Sequence, residues 1–351
     1  MTPKVSVIMS VCDGERYLRE SVESMLNQSF ADLEFIIIED GSRDDTWAIL
    51  TEYASRDQRV VLVRNQENIG LTKSLNLGLA QAKGKYIARQ DADDASLQQR
   101  LATQTEFLEK HYQVGLLGTA YHVADEQGQT TATIRHPETD TEIRWQMLFH
   151  NAFCHTSVMF RRDLLCRANL FYDEDLTCSQ DYELWTRMIQ QIRAANLRTP
   201  LVAWRQSDTA ISKTRRDEQQ QIAIEISARQ INRLFAQTHF SLKEVAKLRN
   251  YYHALPQLSG KEQAQICRQS VLILSAFMKQ PNLDPADVCQ ILRKWVGRIL
   301  SDLIANEKWE TQMFGNLAVT LRMYASAVLM HLAGRAKLRA KQPKVQVPDK
   351  G

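Results

Sequence analysis

The stretch EFIIIEDGS, residues 34–42, decides how the chain is read. Phe35, Ile36, Ile37 and Ile38 are consecutive large apolar side chains. A strand sends neighbouring side chains to opposite faces, so this run needs cover on both sides, as in a parallel sheet between helical layers. It stops abruptly at Glu39-Asp40-Gly41-Ser42, a polar turn.

The same unit repeats on either side. Val5 to Ser10 is a short apolar, β-branched run, and Glu15 to Gln28 follows with apolar residues at helical spacing. After the EDGS turn a helix is expected from Asp44 to Ser55, a strand from Val60 to Val63, a helix from Gly70 to Lys83 and a strand from Lys85 to Ala88. Repeated β-α units of this length predict a doubly wound parallel sheet. Ligands of such sheets sit beyond the carboxyl ends of the strands. Three polar clusters fall there: Ser10-Val11-Cys12-Asp13, Glu39-Asp40-Gly41-Ser42 and Asp91-Ala92-Asp93-Asp94.

Beyond about residue 114 the order loosens. Strands at Val114–Leu117, Thr131–Arg135, Ser157–Phe160 and near Leu201–Trp204 mix with helices at Thr139–Phe149 and Asp181–Gln191. After about 215 the pattern is helical: 217–236, 242–252, 261–278, 285–305 and 311–341. The expected organisation is an α/β domain over 1–215, a helical region over 216–341 and a disordered basic tail over 342–351.

The chain has 351 residues and a net charge of +3, too small to imply a nucleic-acid partner. Its six cysteines are scattered and form no CxxC pair, which argues against a zinc or redox motif and suits a reducing cytosol. The N-terminus lacks a signal-peptide pattern, and no run is apolar for the roughly 18 residues a membrane span needs. The expectation is a cytoplasmic protein.

Three aspartates within ARQDADDAS, residues 88–96, repel one another, and a divalent cation relieves that repulsion. Mg²⁺ or Mn²⁺ is held by one or two carboxylates together with substrate phosphates. An Asp-x-Asp at the ligand edge therefore suggests a metal-bound diphosphate. The structural alternative is that Asp93, Asp94 or Ser96 caps a helix opening near Leu97. Asp40 has two readings as well, a turn residue or an acceptor for a nucleobase or ribose.

The segments VSVIMSVCDGERYLRESVESMLNQSF, EFIIIEDGSRDDT and NIGLTKSLNLGLAQAKGKYIARQDADD, in that order, resemble the family-2 glycosyltransferases of the GT-A fold. The resemblance runs over about residues 3–212. It implies a Rossmann-like mixed sheet flanked by helices, with a C-terminal helical region beyond it. It implies that Ser10 lies on the donor side, that Asp40 holds the base of a nucleoside-diphosphate sugar, and that Asp91 contacts the ribose or the metal's water shell. Asp93 would ligate Mg²⁺ or Mn²⁺, and Arg89 would touch the diphosphate or the acidic loop. FCHTSVMFRRDLL resembles the acceptor-side His-x-Ser motif, with His155 at the His position. CSQDYELWTRM resembles the Glu-Asp-Tyr-x-Leu-Trp-x-Arg motif, which makes Asp181 the general base and places Trp185 on the acceptor or diphosphate side. WRQSDTAIS resembles a Tyr-Arg-x-His segment, which places Arg205 on the acceptor or diphosphate side. Asp181 has a plainer alternative as a helix N-cap, and His155 as a structural histidine.

Three positions depart from that pattern. Cys12-Asp13 stands where the family has Tyr-Asn, Gln180 where it has Glu, and Ser207 where it has His. The expected activity is an inverting, metal-dependent transfer from a nucleoside-diphosphate sugar, a UDP-sugar by resemblance, to a hydroxyl of a polysaccharide, glycolipid or other glycan. The alternatives are a catalytically impaired sugar-nucleotide-binding scaffold and a nucleotidyltransferase. The latter lacks a basic, glycine-rich phosphate loop in SVCDGERY. Residues 321–351 hold seven Lys or Arg and one Asp, so a solvated tail and a peripheral contact with an anionic membrane face are both open. Equal co-flotation with anionic liposomes by the full chain and by a chain ending at residue 310 would exclude the membrane contact.

Overall fold

The computed structural model describes residues 2–168, 170–206, 215–253 and 260–305. The chain forms two compact units, Met1–Gln230 and one that begins at Ile231. The expected helix over 311–341 and the basic segment 321–351 lie outside the described residues, as does Ser207. Among the described residues no helix is long and apolar enough to cross a membrane.

The first unit is built on a nine-stranded sheet. Its strands are β1 (Val5–Val11), β2 (Leu33–Asp40), β3 (Val60–Asn65), β4 (Tyr86–Arg89), β5 (Ala95–Ser96), β6 (Val114–Ala124), β7 (Thr130–Ile134), β8 (Met159–Arg161) and β9 (Arg193–Arg205). The order is β3-β2-β1-β4-β8-β6-β9-β5, with β7 paired to β6. β1 to β4 are mutually parallel as the repeats predict, but the sheet as a whole is mixed. β8 is antiparallel to both β4 and β6, whereas β6 and β9 run parallel to each other. The short β8 reverses direction between β4 and β6, which brings β6 and β9 back to the orientation of β1–β4. The carboxyl ends of β1, β2, β4, β6 and β9 therefore share one edge.

Every residue of β1 and β2 is buried, as the unbroken apolar run requires. Alternation then assigns two layers. Val7, Met9, Phe35 and Ile37 join Leu18, Val22 and Met25 of helix α1 (Glu15–Leu26) on one face. Ile8, Ile36 and Ile38 join Leu75 and Leu79 of α3 (Leu71–Gln81) and Leu184, Trp185 and Met188 of α7 (Gln180–Met188) on the other. Helices α2 (Thr46–Arg56), α4 (Arg100–Lys110), α5 (Asp140–Gln146) and α6 (Asp163–Ala168) complete this unit. α8 (Arg216–Asn232) packs onto it as well. Ile226 is buried in the α7 layer, and Ser227 Oγ donates to Leu148 O at 2.5 Å. The compact unit thus continues to Gln230, past the expected position 215. The second unit contains α9 (Leu242–His253), α10 (Gly260–Phe277) and α11 (Pro285–Ala305), joined by Val245, Leu248, Leu274, Phe277 and Leu292 in its interior.

At the start of β4, a polar knot fixes the register that carries the acidic loop. Ser6 Oγ donates to Glu34 Oε1 at 2.6 Å and accepts from Gly84 N at 2.8 Å, while Lys83 N donates to the same Glu34 oxygen. A Cβ at Gly84 would lie 2.5 Å from Ser6 N and 2.7 Å from the Val5 carbonyl carbon, both backbone atoms. Gly84→Ala should therefore destabilise the first unit by about 1–3 kcal/mol, the usual cost of overpacking. A urea titration checks this: the midpoint should fall while the slope stays constant.

Candidate active site

Three loops meet at the shared edge. The first two are laced together. Asp13 N donates to Ser42 Oγ, Gly14 N to Thr46 Oγ1 and Glu15 N to Asp44 Oδ2, while Arg43 N returns a bond to Asp13 Oδ1 and Asp45 N one to Glu15 Oε2. The amides opening α1 and α2 are thereby satisfied across the gap between the two strands. Gly41 makes the crossing possible. It has φ +70°, and a Cβ there would lie 2.5 Å from Asn68 N.

Asp40 is buried at the tip of β2. Its Oδ1 accepts from Asn65 Nδ2 at 2.8 Å and Ile69 N at 3.0 Å, and its Oδ2 from Gly70 N at 3.0 Å. Three of about four lone-pair positions are thus spent on the loop that opens α3. Beside it, Cys12 is exposed and its sulfur accepts from Asn68 Nδ2 at 3.1 Å. At this edge the chain presents a small thiol. Ser10, the penultimate residue of β1, is buried and pairs in register with Ile38 of β2.

The third loop is acidic and is gripped from within. Gln90 is completely buried, and its Nε2 donates to Ser21 Oγ, Asp91 O and Asp94 O. Its Oε1 accepts from Ser96 Oγ and from Arg100, itself fully buried. Helix α4 begins at Arg100 with Gln99 as its N-cap and no side-chain capping bond. Asp93, Asp94 and Ser96 are therefore not its caps. Asp94 instead accepts from Arg205 N at 2.8 Å.

The aspartates diverge in environment. Arg89 is fully buried. Its NH1 donates to Ile8 O and Gln90 O, its NH2 pairs with Asp91 Oδ1, and its Nε points at His155 Nε2, 3.1 Å away. Burial alone would raise the Asp91 carboxyl, but Arg89, followed by His155 and Arg100, outweighs it and holds Asp91 below its usual range. Asp93 has no such partner: its carboxylate accepts no hydrogen bond from another described residue. Burial, then the charge of Asp91, pushes it up to about 6. Burial and the charges of Asp93 and Asp91 hold Asp94 well above its ordinary value.

His155 opens a 3-10 turn (His155–Ser157) on the far side of Asp91. Because Arg89 Nε–H can only donate, His155 Nε2 must accept, and the ring proton sits on Nδ1, 3.8 Å from Asp91 Oδ2. Burial and the nearby Arg89 lower its pKa to about 3, so it is neutral. Tyr172 OH also reaches Nε2, at 2.8 Å.

Asp181 occupies the second position of α7. The N-cap is Ser179, whose side chain makes no capping bond, so Asp181 is not the cap. Asn151 Nδ2 donates to its Oδ2 at 2.7 Å, and Asn151 Oδ1 is itself fixed by Phe153 N at 3.1 Å. The amide can face Asp181 in one orientation only, which leaves Oδ1 of Asp181 outside that bond. Burial first, then the charge of Asp91, raises Asp181 to about 6.

Asp91, Asp93, Asp181, His155 and Arg89 therefore share one electrostatic neighbourhood. Asp40 and Ser10 stand two and one strands away on the same edge. Trp185 and Arg205 make their contacts within the protein. Trp185 is fully buried, packed by Phe153, Phe160, Tyr172 and His155, because α7 turns its apolar face to the sheet. It is a floor under His155. The Arg205 guanidinium is spent on protein: Nε to Asp93 O, NH1 to Asp125 O and Glu126 O, NH2 to Glu20 Oε2, all over the Tyr17 ring. It clamps the back of the acidic loop. Asn151 and Tyr172 escape a reading of the sequence, because single polar residues in NAFCH and LFYDE carry no motif. Among the described residues there is no group of three or more His, Cys, Asp or Glu placed to hold a metal unaided.

Comparison with known proteins decides the family. The family model described as Glycosyl transferase family 2 matches residues 6–167. EpsE of Bacillus subtilis (strain 168) is 37% identical over 214 residues, 60% of this chain and 76% of its own length. The chain belongs to glycosyltransferase family 2. The O-antigen biosynthesis glycosyltransferase WbnJ of Escherichia coli is 31% identical over 221 residues, 60% of this chain and 82% of WbnJ. The crystal structure of S. aureus TarS 1-349 in complex with UDP-GlcNAc superimposes with a TM-score of 0.56 at 16% identity, covering 94% of this chain and 92% of that one. That likeness is one of fold, the GT-A-like mixed sheet with helices beyond it. This family-2 glycosyltransferase is an enzyme that moves a sugar from a nucleoside-diphosphate donor to an acceptor.

The Asn151 hydrogen bond opposes the upward pressure on Asp181. Asn151→Ala should raise the Asp181 pKa above about 6. ¹³C NMR titration of the carboxyl reads this directly, and an unchanged midpoint would show that the bond does not tune it.

Proposed function

We propose that this enzyme is an inverting, metal-dependent glycosyltransferase that uses a UDP-sugar and delivers the sugar to a hydroxyl of a polysaccharide, glycolipid or other glycan. The observation that supports inversion is Asp181 itself, a carboxylate whose Oδ1 lies outside its Asn151 hydrogen bond. A single in-line displacement needs one carboxylate to take the acceptor proton as the bond forms. Asp181 is such a carboxylate, with one oxygen tied to Asn151 and a raised affinity for protons. Within α7, Gln180 carries no charge and Glu183 spends both oxygens on Arg187, so Asp181 is the α7 first-turn carboxylate free to take a proton.

The residues fit a divalent cation in a limited way. Asp91 is paired with Arg89, whereas the Asp93 carboxylate accepts no hydrogen bond from another described residue, so Asp93 is the carboxylate with charge to give. Asp93 would hold Mg²⁺ or Mn²⁺ in combination with diphosphate oxygens, the usual arrangement for these ions. Bound there, the ion would supply charge for the departing nucleoside diphosphate. The chain's own residues do the rest. Arg89 and Gln90 keep the acidic loop from moving, Asp40 shapes the loop beside the base, neutral His155 lies between Asp91 and the α7 layer, and Asp181 takes the proton. The choice of UDP is supported by the fold shared with a protein crystallised with UDP-GlcNAc, and a glycan acceptor by the O-antigen relative.

Asp181→Asn should lower turnover by about 10²- to 10⁴-fold, the worth of a general base, while leaving donor binding intact. Asp93→Ala should instead weaken donor binding in Mn²⁺ and leave metal-free binding alone. Calorimetry with UDP, set beside a transfer or donor-hydrolysis assay, separates the two. Full activity of Asp181→Asn would remove the assigned base.

A further inference from the structure

Beyond the acidic loop, an aromatic corner is left over from every role described so far. β6 and β9 end at the same edge as β4. Arg205, the last residue of β9, turns its guanidinium over Tyr17 in the α1 layer. Side chains alternate along a strand, so Trp204 is sent to the opposite face, the α7 layer that carries Asp181. There the Tyr121 ring meets Trp204 edge-on at 6.2 Å and 81°. The His136 ring lies 5.8 Å from Tyr121, tilted by 34°. All three side chains are half-buried.

Two features distinguish this corner from ordinary core packing. His136 Nε2 is enclosed yet has no hydrogen-bond partner among the described residues, and burial lowers its pKa to about 4, so the ring is neutral. Tyr121 and Trp204 likewise make no side-chain hydrogen bond within the described residues, although both are only partly covered. The corner also adjoins the acidic loop: Arg205, next to Trp204 in β9, donates its backbone N–H to Asp94 Oδ1 at 2.8 Å.

Partly exposed rings with unpaired polar tips suit a ligand with an apolar face and a hydroxylated rim. A pyranose is such a ligand. We propose that Tyr121, His136 and Trp204 form the acceptor-sugar subsite, the rings taking the C–H face of the sugar while the Tyr121 hydroxyl and the Trp204 N–H take its hydroxyls. This rests on the reading of Asp181 as the base that faces a glycan acceptor. It adds that the acceptor's reactive residue is a sugar ring, not a bare lipid phosphate or a polyol chain.

Saturation-transfer NMR tests it on the intact chain, with methyl β-glucoside, methyl β-galactoside and methyl β-N-acetylglucosaminide as probes and UDP in a parallel sample. Saturating the aromatic protons of the wild type should light the ring protons of at least one glycoside. Trp204→Ala and Tyr121→Ala should weaken that glycoside about three- to tenfold, the worth of one stacking ring. Trp204→Leu keeps apolar bulk for folding and should show the same loss, whereas Trp204→Phe should retain most of the signal. UDP signals should persist in all four. Undiminished transfer in Trp204→Leu, or silence of every glycoside with the wild type, overturns the subsite. Failure of the donor reading would appear separately, as absent UDP signals in the wild type.

Discussion

The buried guanidinium of Arg89 is the constraint on which the site depends. It ends β4, reaches the Ile8 carbonyl of β1, pairs with Asp91 and fixes the tautomer of His155. A cation cannot be left unpaired inside a protein without a large penalty. Arg89 therefore obliges the acidic loop to bring a carboxylate to it, and Asp91 is that carboxylate. Once Asp91 is consumed, the neighbouring aspartates divide their roles by environment. Asp94 accepts from the β9 backbone, and Asp93 is left without a donor.

That arrangement has an electrostatic cost. Asp93 and Asp181 both titrate near 6, above the ordinary carboxylate range of about 4, for reasons of burial and the charge of Asp91. A carboxyl raised by folding contributes stability that is present below its unfolded pKa and lost as pH rises through the folded value. Between about pH 4 and 6 the unliganded protein thus gives up stability at these two groups. Binding positive charge at Asp93 would return it. The site is kept by the surrounding framework: Gln90, Arg100 and Arg205 hold the loop backbone from behind with bonds that do not depend on the carboxylates' charge.

Much of the framework was legible in the residues. The apolar run Phe35–Ile38, the spacing of Leu18, Val22 and Met25, and the polar breaks after each strand locate β1 to β4 and their helices within a few positions. The strands after 114 are harder. β9 runs from Arg193 to Arg205, yet only its last third reads as a strand, because RAANLRTP mixes charge, amide and proline. Its partner β6 supplies the ladder that holds it extended, and pairing between segments far apart in sequence has no local signature. Arg205 and Trp185 show the same limit. Their types suit a site, but which way each points depends on neighbours contributed by α1, the β6–β7 turn and α7.

The amino-acid order by itself determined the parallel β1–β4 core, the edge at which its polar clusters gather, and the chemical kinds of side chain available there. These follow from local periodicity and from strand ends that expose their loops. Only the tertiary structure decided that β8 reverses the sheet, that Arg89 claims Asp91, that Asn151 claims one oxygen of Asp181, and that Tyr121, His136 and Trp204 meet. Each of those outcomes is a contest between distant groups for hydrogen bonds and burial, and it is settled by packing distance rather than by position along the chain.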